Sequence, residues 1–166
     1  MISSSIKVLQ VNLNKSQAAT ESALQAAIET KVDLILVQEP WLYNQGVVSF
    51  EESYSINHPS FTQLLPRNRI LRPRTLVYVS RSFKPLVSLA TSSPDDPDIQ
   101  VIDIVEGSSK IQILNIYNEA DQAKQGPRTL ERALYPFQLY RHSIVLGDLN
   151  IPVSYTHLTL PTILRV

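Results

Sequence analysis

Cysteine is absent from the 166 residues of the chain. This absence excludes disulfide bonds and thiolate metal sites, so that any metal ion has to be held by oxygen or imidazole ligands. An excess of either charge is also absent, because 15 lysine and arginine residues balance 15 aspartate and glutamate residues. The balance argues against nonspecific binding of nucleic acid by overall charge, but it leaves room for a local basic patch.

Long apolar segments are lacking as well. The N-terminal sequence MISSSIKVLQVNLN has no apolar core typical of a signal peptide, and no stretch approaches the roughly 20 apolar residues of a membrane span. Hydrophobic residues nevertheless make up 43% of the chain and charged residues 18%, which is sufficient for one packed domain. We therefore expect a single soluble, intracellular domain.

The first forty residues have the pattern strand, helix, strand. Residues 6–13 are rich in β-formers, and Ser16 is a suitable N-cap for the helical spacing of apolar residues that follows it. Residues 33–37 form a short continuous apolar run, which is typical of a strand covered on both faces. This order predicts that the second strand lies parallel to the first.

The rest of the chain is rich in predicted strands. Residues 41–74 are irregular, and Gly107-Ser108-Ser109 suits a hairpin loop. Pro127 is placed to begin a helix. Strands are predicted at residues 75–79, 86–89, 99–105, 111–117 and 143–146. The side of the helix that faces the core is predicted to carry Leu130, Leu134 and Phe137. The pattern predicts an α/β fold of layered sheets flanked by helices.

Polar side chains follow four of the predicted strands, where buried strands normally avoid them. They are Asn12, Glu39, Tyr117, and the Asp148 and Asn150 of GDLN. Ligands of layered α/β folds bind at strand ends, where loops leave a rigid scaffold. Oxygen ligands of this kind suit a hard cation such as Mg²⁺, held by one or two carboxylates and a substrate phosphate.

These residue types also indicate a reaction class. A metal ion at Glu39 would neutralise charge on a phosphoryl oxygen, and Asp148 would orient or help ionise the attacking water. Asn12, Asn150 and Tyr117 would form hydrogen bonds around the phosphate. The set predicts hydrolysis of a phosphodiester or a phosphomonoester.

Each residue also has an ordinary structural interpretation. Asn12 can end a strand before a turn, Glu39 can be a surface residue, and Tyr117 can be a core aromatic. Gly147-Asp148 is a common turn. The basic cluster of Arg67, Arg69, Arg72 and Arg74 suits either a phosphate backbone or a solvated loop. The prediction therefore depends on the ordered combination of residues.

The ordered motifs resemble those of a known superfamily. QVNLNKS, VQEPW, RPRTLVYVSR, NIYNE and GDLN, within residues 6–150, resemble the endonuclease/exonuclease/phosphatase superfamily, which includes DNase I and the AP endonucleases. They are more narrowly similar to the endonuclease domains of fungal-type non-LTR retrotransposons. The resemblance implies a four-layer, DNase I-like α/β sandwich, incomplete at the C-terminus.

The resemblance also implies roles for the site residues. Glu39 matches the metal-binding glutamate, and Asn12 matches an active-site asparagine near metal and phosphate. Tyr117 matches the active-site tyrosine, while Asp148 and Asn150 match the pair that orients the nucleophile and contacts the phosphate. The implied cofactor is Mg²⁺ or Mn²⁺.

The implied function is DNA nicking that exposes a 3′ end for reverse transcription. The resemblance thus implies a monomer that binds DNA, without a membrane or a small-molecule cofactor. In a complete element it would be nuclear and fused to a reverse transcriptase. Two alternatives stay open: a superfamily phosphatase acting on small or lipid phosphoesters, and a noncatalytic DNA-binding remnant.

The sequence departs from the family pattern after residue 151. The Ser-Asp-His run of the family, whose histidine is central to catalysis, does not occur in the sequence. Ordinary surface or structural roles are expected for His58, His142 and His157. We predict a truncated domain at residues 1–151 and a non-family tail at 152–166, interpreted as an assembly or cloning scar. The expected activity is therefore absent or weak.

Overall fold

The computed structural model describes residues 5–44, 49–118, 129–134 and 142–150, together with the backbone of 162–165. Two sheets and two helices are present in this part of the chain. The elements are β1 (Lys7–Asn12), α1 (Gln17–Glu29), β2 (Leu34–Gln38), β3 (Phe61–Leu64), β4 (Thr75–Ser80), β5 (Leu86–Leu89), β6 (Ile99–Glu106), β7 (Ser109–Tyr117), α2 (Thr129–Leu134), β8 (Ser143–Asp148) and β9 (Thr162–Arg165). The first sheet has the order β3-β4-β2-β1-β9 and the second β5-β6-β7-β8.

The β1-α1-β2 unit forms as the sequence predicts. The Ser16 hydroxyl accepts the backbone N–H of Ala19 at 3.2 Å and so caps the first turn of α1. Strands β1 and β2 pair in parallel, from Val8 opposite Leu34 to Asn12 opposite Gln38. Because the strands are parallel and separated by one helix, their carboxyl ends reach the same edge of the sheet.

The elements form four layers, with a helix on the outer face of each sheet. The inner faces pack on each other through Val8, Leu36 and Val77 of the first sheet and Ile102 and Ile113 of the second. A second cluster joins α1 to the other face of the first sheet, and a third includes Ala133 of α2 and the second sheet. Burial on both faces explains why β2 is continuously apolar.

A polar link between buried amides crosses the space between the sheets. Gln38 and Asn115 are fully buried, and the Gln38 amide donates to Asn115 Oδ1 at 2.6 Å. Asn115 in turn donates to the backbone carbonyls of Val37 and Leu76, each at 3.2 Å. Buried amides need such partners, and these bonds fix the register of one sheet on the other just below the strand ends.

The structure differs from the sequence prediction in three elements. Strand β3 lies within the segment that we predicted to be irregular, and it is a four-residue edge strand. Strand β8 continues through Gly147 to Asp148, so this dipeptide is part of a strand and the turn interpretation is wrong. Strand β9 pairs antiparallel with β1, although the pattern of residues 152–166 predicts no element.

The predicted hairpin forms between β6 and β7, where Glu106 pairs with Ser109 around Gly107, which has φ +58°. The predicted helix is present as α2, but Pro127, Phe137 and the side chains of Leu130 and Leu134 lie outside the described residues. In the described part of the chain no helix is long and apolar enough to cross a membrane.

Candidate active site

Six strands of the two sheets meet at one edge of the molecule. In the first sheet β1 and β2 end there, and the antiparallel β4 begins there. In the second sheet β7 and β8 end in parallel there, and the antiparallel β6 begins there. The two sheets thus present equivalent triplets of strands. This arrangement places side chains that are far apart in sequence around a common space.

Asn12 links the two sheets at this edge. Its amide nitrogen donates to Glu39 Oε2 at 3.2 Å and to Asp148 Oδ2 at 2.8 Å. Its Oδ1 accepts the backbone N–H of Asn14 at 2.8 Å, which fixes the orientation of the carboxamide. Three of the residues that the sequence predicts to converge are therefore joined, because Asn12 contacts both Glu39 and Asp148.

Tyr117 lies beside Asp148, because the two residues are partners in the register of β7 and β8. The next residue, Asn118, donates its backbone N–H to the Asp148 carbonyl at 2.8 Å. The Tyr117 ring is half-buried, and the guanidinium of Arg74 lies over it, 5.0 Å from the ring centroid. The second sheet thus supplies an aromatic side chain and a carboxylate to the edge.

Asn150 is at the rim of the site and fastens two loops to each other. Its amide nitrogen donates to the Asn118 carbonyl at 2.6 Å, and the Asn118 amide donates back to the Leu149 carbonyl at 2.6 Å. The Asn150 backbone N–H also reaches Asp148 Oδ1 at 3.2 Å. These reciprocal bonds hold the residues after β7 and β8 together and orient the Asp148 carboxylate.

Left-handed backbone conformations concentrate at the same edge. Asn14, Lys15, Glu39 and Asn150 have φ values between +41° and +57°. For residues other than glycine this conformation costs about 1–3 kcal/mol, and it persists where surrounding contacts enforce it. At Glu39 the backbone N–H donates to the Arg74 carbonyl at 2.9 Å and the carbonyl accepts from Lys15 at 2.8 Å. Strain of this kind is typical of functional sites.

The site contains two carboxylates, and two cations, Lys15 and Arg74, lie near it. The Glu39 side chain is 15% exposed, and its Oε1 lies 3.3 Å from Lys15 Nζ. Glu39 and Asp148 are the two carboxylates that share the Asn12 amide. Within the described residues no group of three or more histidine, cysteine, aspartate or glutamate side chains gathers around a possible metal position.

The donor set fits a hard divalent cation. Carboxylates such as Glu39 and Asp148 are ligand types of Mg²⁺, which usually takes one or two carboxylates and completes its shell with water and phosphate oxygens. The Asn12 amide oxygen accepts the Asn14 backbone N–H in this arrangement. A softer ion would need thiolate or imidazole ligands. The ring of His58 instead contacts the ring of Phe61, with 5.8 Å between the centroids. His142 precedes β8 at the end opposite Asp148.

Three charged residues lie next to the predicted site residues, but the sequence pattern does not predict them as part of the site. Arg74 and Asp98 lie immediately before the antiparallel strands β4 and β6, and Lys15 immediately before the N-cap of α1. The sequence predicts the ends of parallel strands as site positions, whereas these residues belong to strand beginnings. The available signal was a charged residue directly preceding a buried strand.

The arginines of the predicted basic cluster do not form one open patch. Arg67, Arg69 and Arg72 donate to the backbone carbonyls of Ala90, Ser53 and Pro40, at 3.3, 2.9 and 3.2 Å. Arg72 also lies over the Phe50 ring, 5.5 Å from its centroid. These side chains therefore bind backbone carbonyls of other segments, and Arg74 alone of the four lies beside a predicted site residue.

Comparison with known proteins gives matches among solved structures. No family model and no curated protein matches the chain. The endonuclease domain of TRAS1, a telomere-specific non-LTR retrotransposon, matches with a TM-score of 0.64 and 19% identity, over 90% of this chain and 62% of that domain.

Two further matches were solved with DNA. The D. rerio TDP2 complexed with single strand DNA product has a TM-score of 0.52 at 10% identity, over 91% of this chain and 63% of that one. The 3′ phosphatase NExo from Neisseria, a variant bound to a product DNA hairpin, has a TM-score of 0.50 at 20% identity, over 88% of this chain and 58% of that one.

The chain spans about three-fifths of the length of these structures. Similarity at this level of identity establishes the fold, and one of the matches is the endonuclease domain of a non-LTR retrotransposon. The chain has a DNase I-like α/β fold.

Proposed function

We propose that the chain is part of a metal-dependent phosphodiesterase that nicks DNA, the endonuclease domain of a non-LTR retrotransposon. One observation carries the proposal: the Asn12 amide joins Glu39 of the first sheet to Asp148 of the second. Residues 136 positions apart in sequence thus form one cluster of oxygen ligands at the strand ends of a DNase I-like fold.

The residues of the cluster have complementary roles in the proposal. Glu39 and the Asn12 carboxamide would hold Mg²⁺ or Mn²⁺, and a bound ion would supply positive charge to neutralise the phosphoryl oxygens. Asp148, oriented by Asn12 and by the Asn150 backbone, accepts a proton from the attacking water. Tyr117 and the Asn150 amide line the space in which the phosphate binds.

DNA is the proposed substrate. The retrotransposon motifs of the sequence support this choice, and the D. rerio and Neisseria structures that share the fold were solved with DNA. The neutral overall charge favours recognition by local contacts at the site over nonspecific attraction. In a complete element the domain would act on nuclear DNA and be fused to a reverse transcriptase.

Weak catalysis by this chain is part of the proposal. In the described residues no imidazole lies at the site, because His58 packs on Phe61 and His142 lies at the far end of β8. Loss of a general acid–base group commonly lowers the rate by about 10² to 10⁴. We therefore expect binding of Mg²⁺ and DNA with slow turnover.

A plasmid assay tests the function. Supercoiled plasmid is incubated with the chain and Mg²⁺ for hours, and Mg²⁺-dependent retention of the DNA is measured in parallel. We expect slow nicking and Mg²⁺-dependent retention, both lost in Glu39→Gln. The control Glu29→Gln removes an exposed carboxylate at the opposite end of α1 and should leave both unchanged.

The same assay separates the two alternatives. Retention that is independent of Mg²⁺ and of Glu39, without nicking, would contradict the proposal and favour a noncatalytic DNA-binding remnant. Turnover of a soluble phosphomonoester without DNA nicking would favour a phosphatase. Nicking as fast in Glu39→Gln as in the unchanged chain would exclude Glu39 as a metal ligand.

A further inference from the structure

We propose that the ion pair between Arg74 and Asp98 is a positioning device that holds Tyr117 and Glu39 at the site from opposite sheets. Neither residue of the pair belongs to the predicted metal or phosphate ligands. The consequence for catalysis rests on the proposed function, whereas the positioning of Tyr117 is tested independently of it.

The backbone of each partner holds one site residue. Arg74 directly precedes β4, and its carbonyl accepts the backbone N–H of Glu39 at 2.9 Å. Asp98 directly precedes β6, and its carbonyl accepts the backbone N–H of Tyr117 at 2.9 Å. The Arg74 N–H donates to the Pro97 carbonyl at 2.8 Å. The two strand beginnings are thus connected directly.

The side chains of the pair add a rigid contact with the Tyr117 ring. Arg74 binds both oxygens of Asp98, through Nε to Oδ1 and through Nη2 to Oδ2 at 2.5 Å. Asp98 is only 2% exposed, so solvent screens the pair weakly. A bidentate pair fixes the plane of the guanidinium. Because this fixed plane lies 5.0 Å from the Tyr117 centroid, it also restricts the ring.

The contacts around the site close into a ring. On one side the Asn12 amide joins Glu39 to Asp148, and Asp148 is the register partner of Tyr117. On the other side the Arg74–Asp98 pair joins Tyr117 back to Glu39. Removal of the pair would therefore loosen Tyr117 without deleting any group that is proposed to contact the metal or the phosphate.

Arg132 of α2 provides a matched control. It donates to Asp98 Oδ2 at 3.1 Å and to Asp96 Oδ2 at 2.9 Å. Its substitution removes a cation from the same buried carboxylate, but it leaves the cation–π contact between Arg74 and Tyr117 in place. A purely structural role of the ion pairs would make Arg132→Met and Arg74→Met behave alike.

The test of positioning uses the chain labelled with 3-fluorotyrosine. The ¹⁹F signal of Tyr117 is assigned by its loss in Tyr117→Phe and compared in Arg74→Met, Arg132→Met and the double variant Arg74→Met/Asp98→Asn. We expect the signal to move by more than its width in both variants that lack Arg74 and to stay in place in Arg132→Met. An unchanged signal in Arg74→Met, or its return in the double variant, would overturn the proposal.

The double variant keeps the experiment decisive if Arg74→Met does not fold, because it removes the carboxylate that would otherwise be buried without its main partner. For Mg²⁺-dependent nicking we expect a roughly ten- to hundredfold loss in both variants that lack Arg74, and little change in Arg132→Met. Recovery of nicking in the double variant would show that Arg74 only neutralises the charge of Asp98. This result would refute the positioning role. Absence of both nicking and Mg²⁺-dependent DNA retention in the unchanged chain would refute the proposed function, while the ¹⁹F signal would still decide the positioning.

Discussion

At the scale of single residues, buried polar groups of this chain are held by specific partners. Tyr78 of β4 is almost completely buried, and its hydroxyl donates to the Ile56 carbonyl at 3.0 Å. Burial raises the pKa of Tyr78 to about 12, against a weaker opposing effect of a hydrogen bond with Ser55. The neutral phenol is thus favoured in the folded chain.

This shift predicts a dependence of stability on alkaline pH. The pKa of Tyr78 is higher in the folded chain than the ordinary value of 10.0, so its contribution is fully present below pH 10. It is lost as the pH rises through about 12, because the unfolded chain releases the proton first. We expect Tyr78 to account for a fall of roughly 2–3 kcal/mol in the free energy of unfolding over this range.

Urea unfolding between pH 9 and 12 measures the effect. Tyr78→Phe should be less stable at neutral pH, because the bond to the Ile56 carbonyl is lost, but its stability should fall less steeply with pH. An equally steep fall in Tyr78→Phe would show that other groups cause the alkaline loss.

Arg132 shows how neighbouring charges outweigh burial. Burial alone would lower the pKa of Arg132, but the hydrogen bond and the charge of Asp96, together with those of Asp98, raise it above its ordinary value. The guanidinium therefore remains charged at every pH at which the chain is folded.

At the scale of secondary structure, local sequence predicts the elements whose patterns are unambiguous. The Ser16 cap, the apolar spacing of α1 and the continuous run of β2 determine the β1-α1-β2 unit without reference to the rest of the chain. Strand β3 escapes prediction because it is a short edge strand, only four residues long, which begins at Phe61. The extended conformation of β3 is stabilised by its pairing with β4, and its own four residues do not indicate this pairing.

Gly147 is the residue on which the end of β8 depends. It has φ +152°, and a Cβ at this position would lie 1.9 Å from the carbonyl oxygen of Ile116 in β7. Backbone atoms cannot yield to such a contact without separating the two strands. The strands carry Tyr117 and Asp148 one residue further on, so the close approach at Gly147 also sets the geometry of the site.

We predict that Gly147→Ala lowers the free energy of unfolding by about 3 kcal/mol or more. Gly107→Ala is the matched control, because Gly107 also has a positive φ, of +58°, but no atom lies within 4 Å of its added Cβ. The control should lose only about 1–2 kcal/mol. Equal losses in urea unfolding would show that the contact with Ile116 is not the cause.

At the scale of the whole molecule, the relation between the two sheets is fixed by polar groups as well as by the apolar core. The buried Gln38 amide would lose its acceptor in Asn115→Leu. An unpaired buried donor of this kind costs about 1–3 kcal/mol. We predict that Asn115→Leu destabilises the chain by this amount, and that Asn115→Leu/Gln38→Leu destabilises it less, although it alters more atoms.

Thermal unfolding of the two variants and of Gln38→Leu provides the measurement. The partner of Gln38 on its other side, Gln10, is only partly buried and can turn toward water in the double variant. A double variant less stable than Asn115→Leu would show that the leucines are accommodated poorly and that pairing of the buried amides is not the main effect.

Part of the site is predictable at this scale, and part is not. Parallel strands direct Asn12 and Glu39 to one edge, and the same argument directs Tyr117 and Asp148 to one edge of the other sheet. The sequence does not state that the two edges coincide; that follows from the packing of the inner faces. Arg74 and Asp98 reach the site through antiparallel pairing between distant segments, and the charged residue before each buried strand does not indicate that pairing.

The account depends most on the binding of one divalent cation between the sheets. Titration of the chain with Mn²⁺, followed by the loss of the free-ion electron paramagnetic resonance signal, measures this directly, with Mg²⁺ as competitor. We predict one Mn²⁺ per chain, displaced by Mg²⁺, with affinity weakened at least about tenfold in both Glu39→Gln and Asp148→Asn and unchanged in Glu29→Gln. Absence of binding, or binding unaffected by the substitutions at Glu39 and Asp148, would contradict the account.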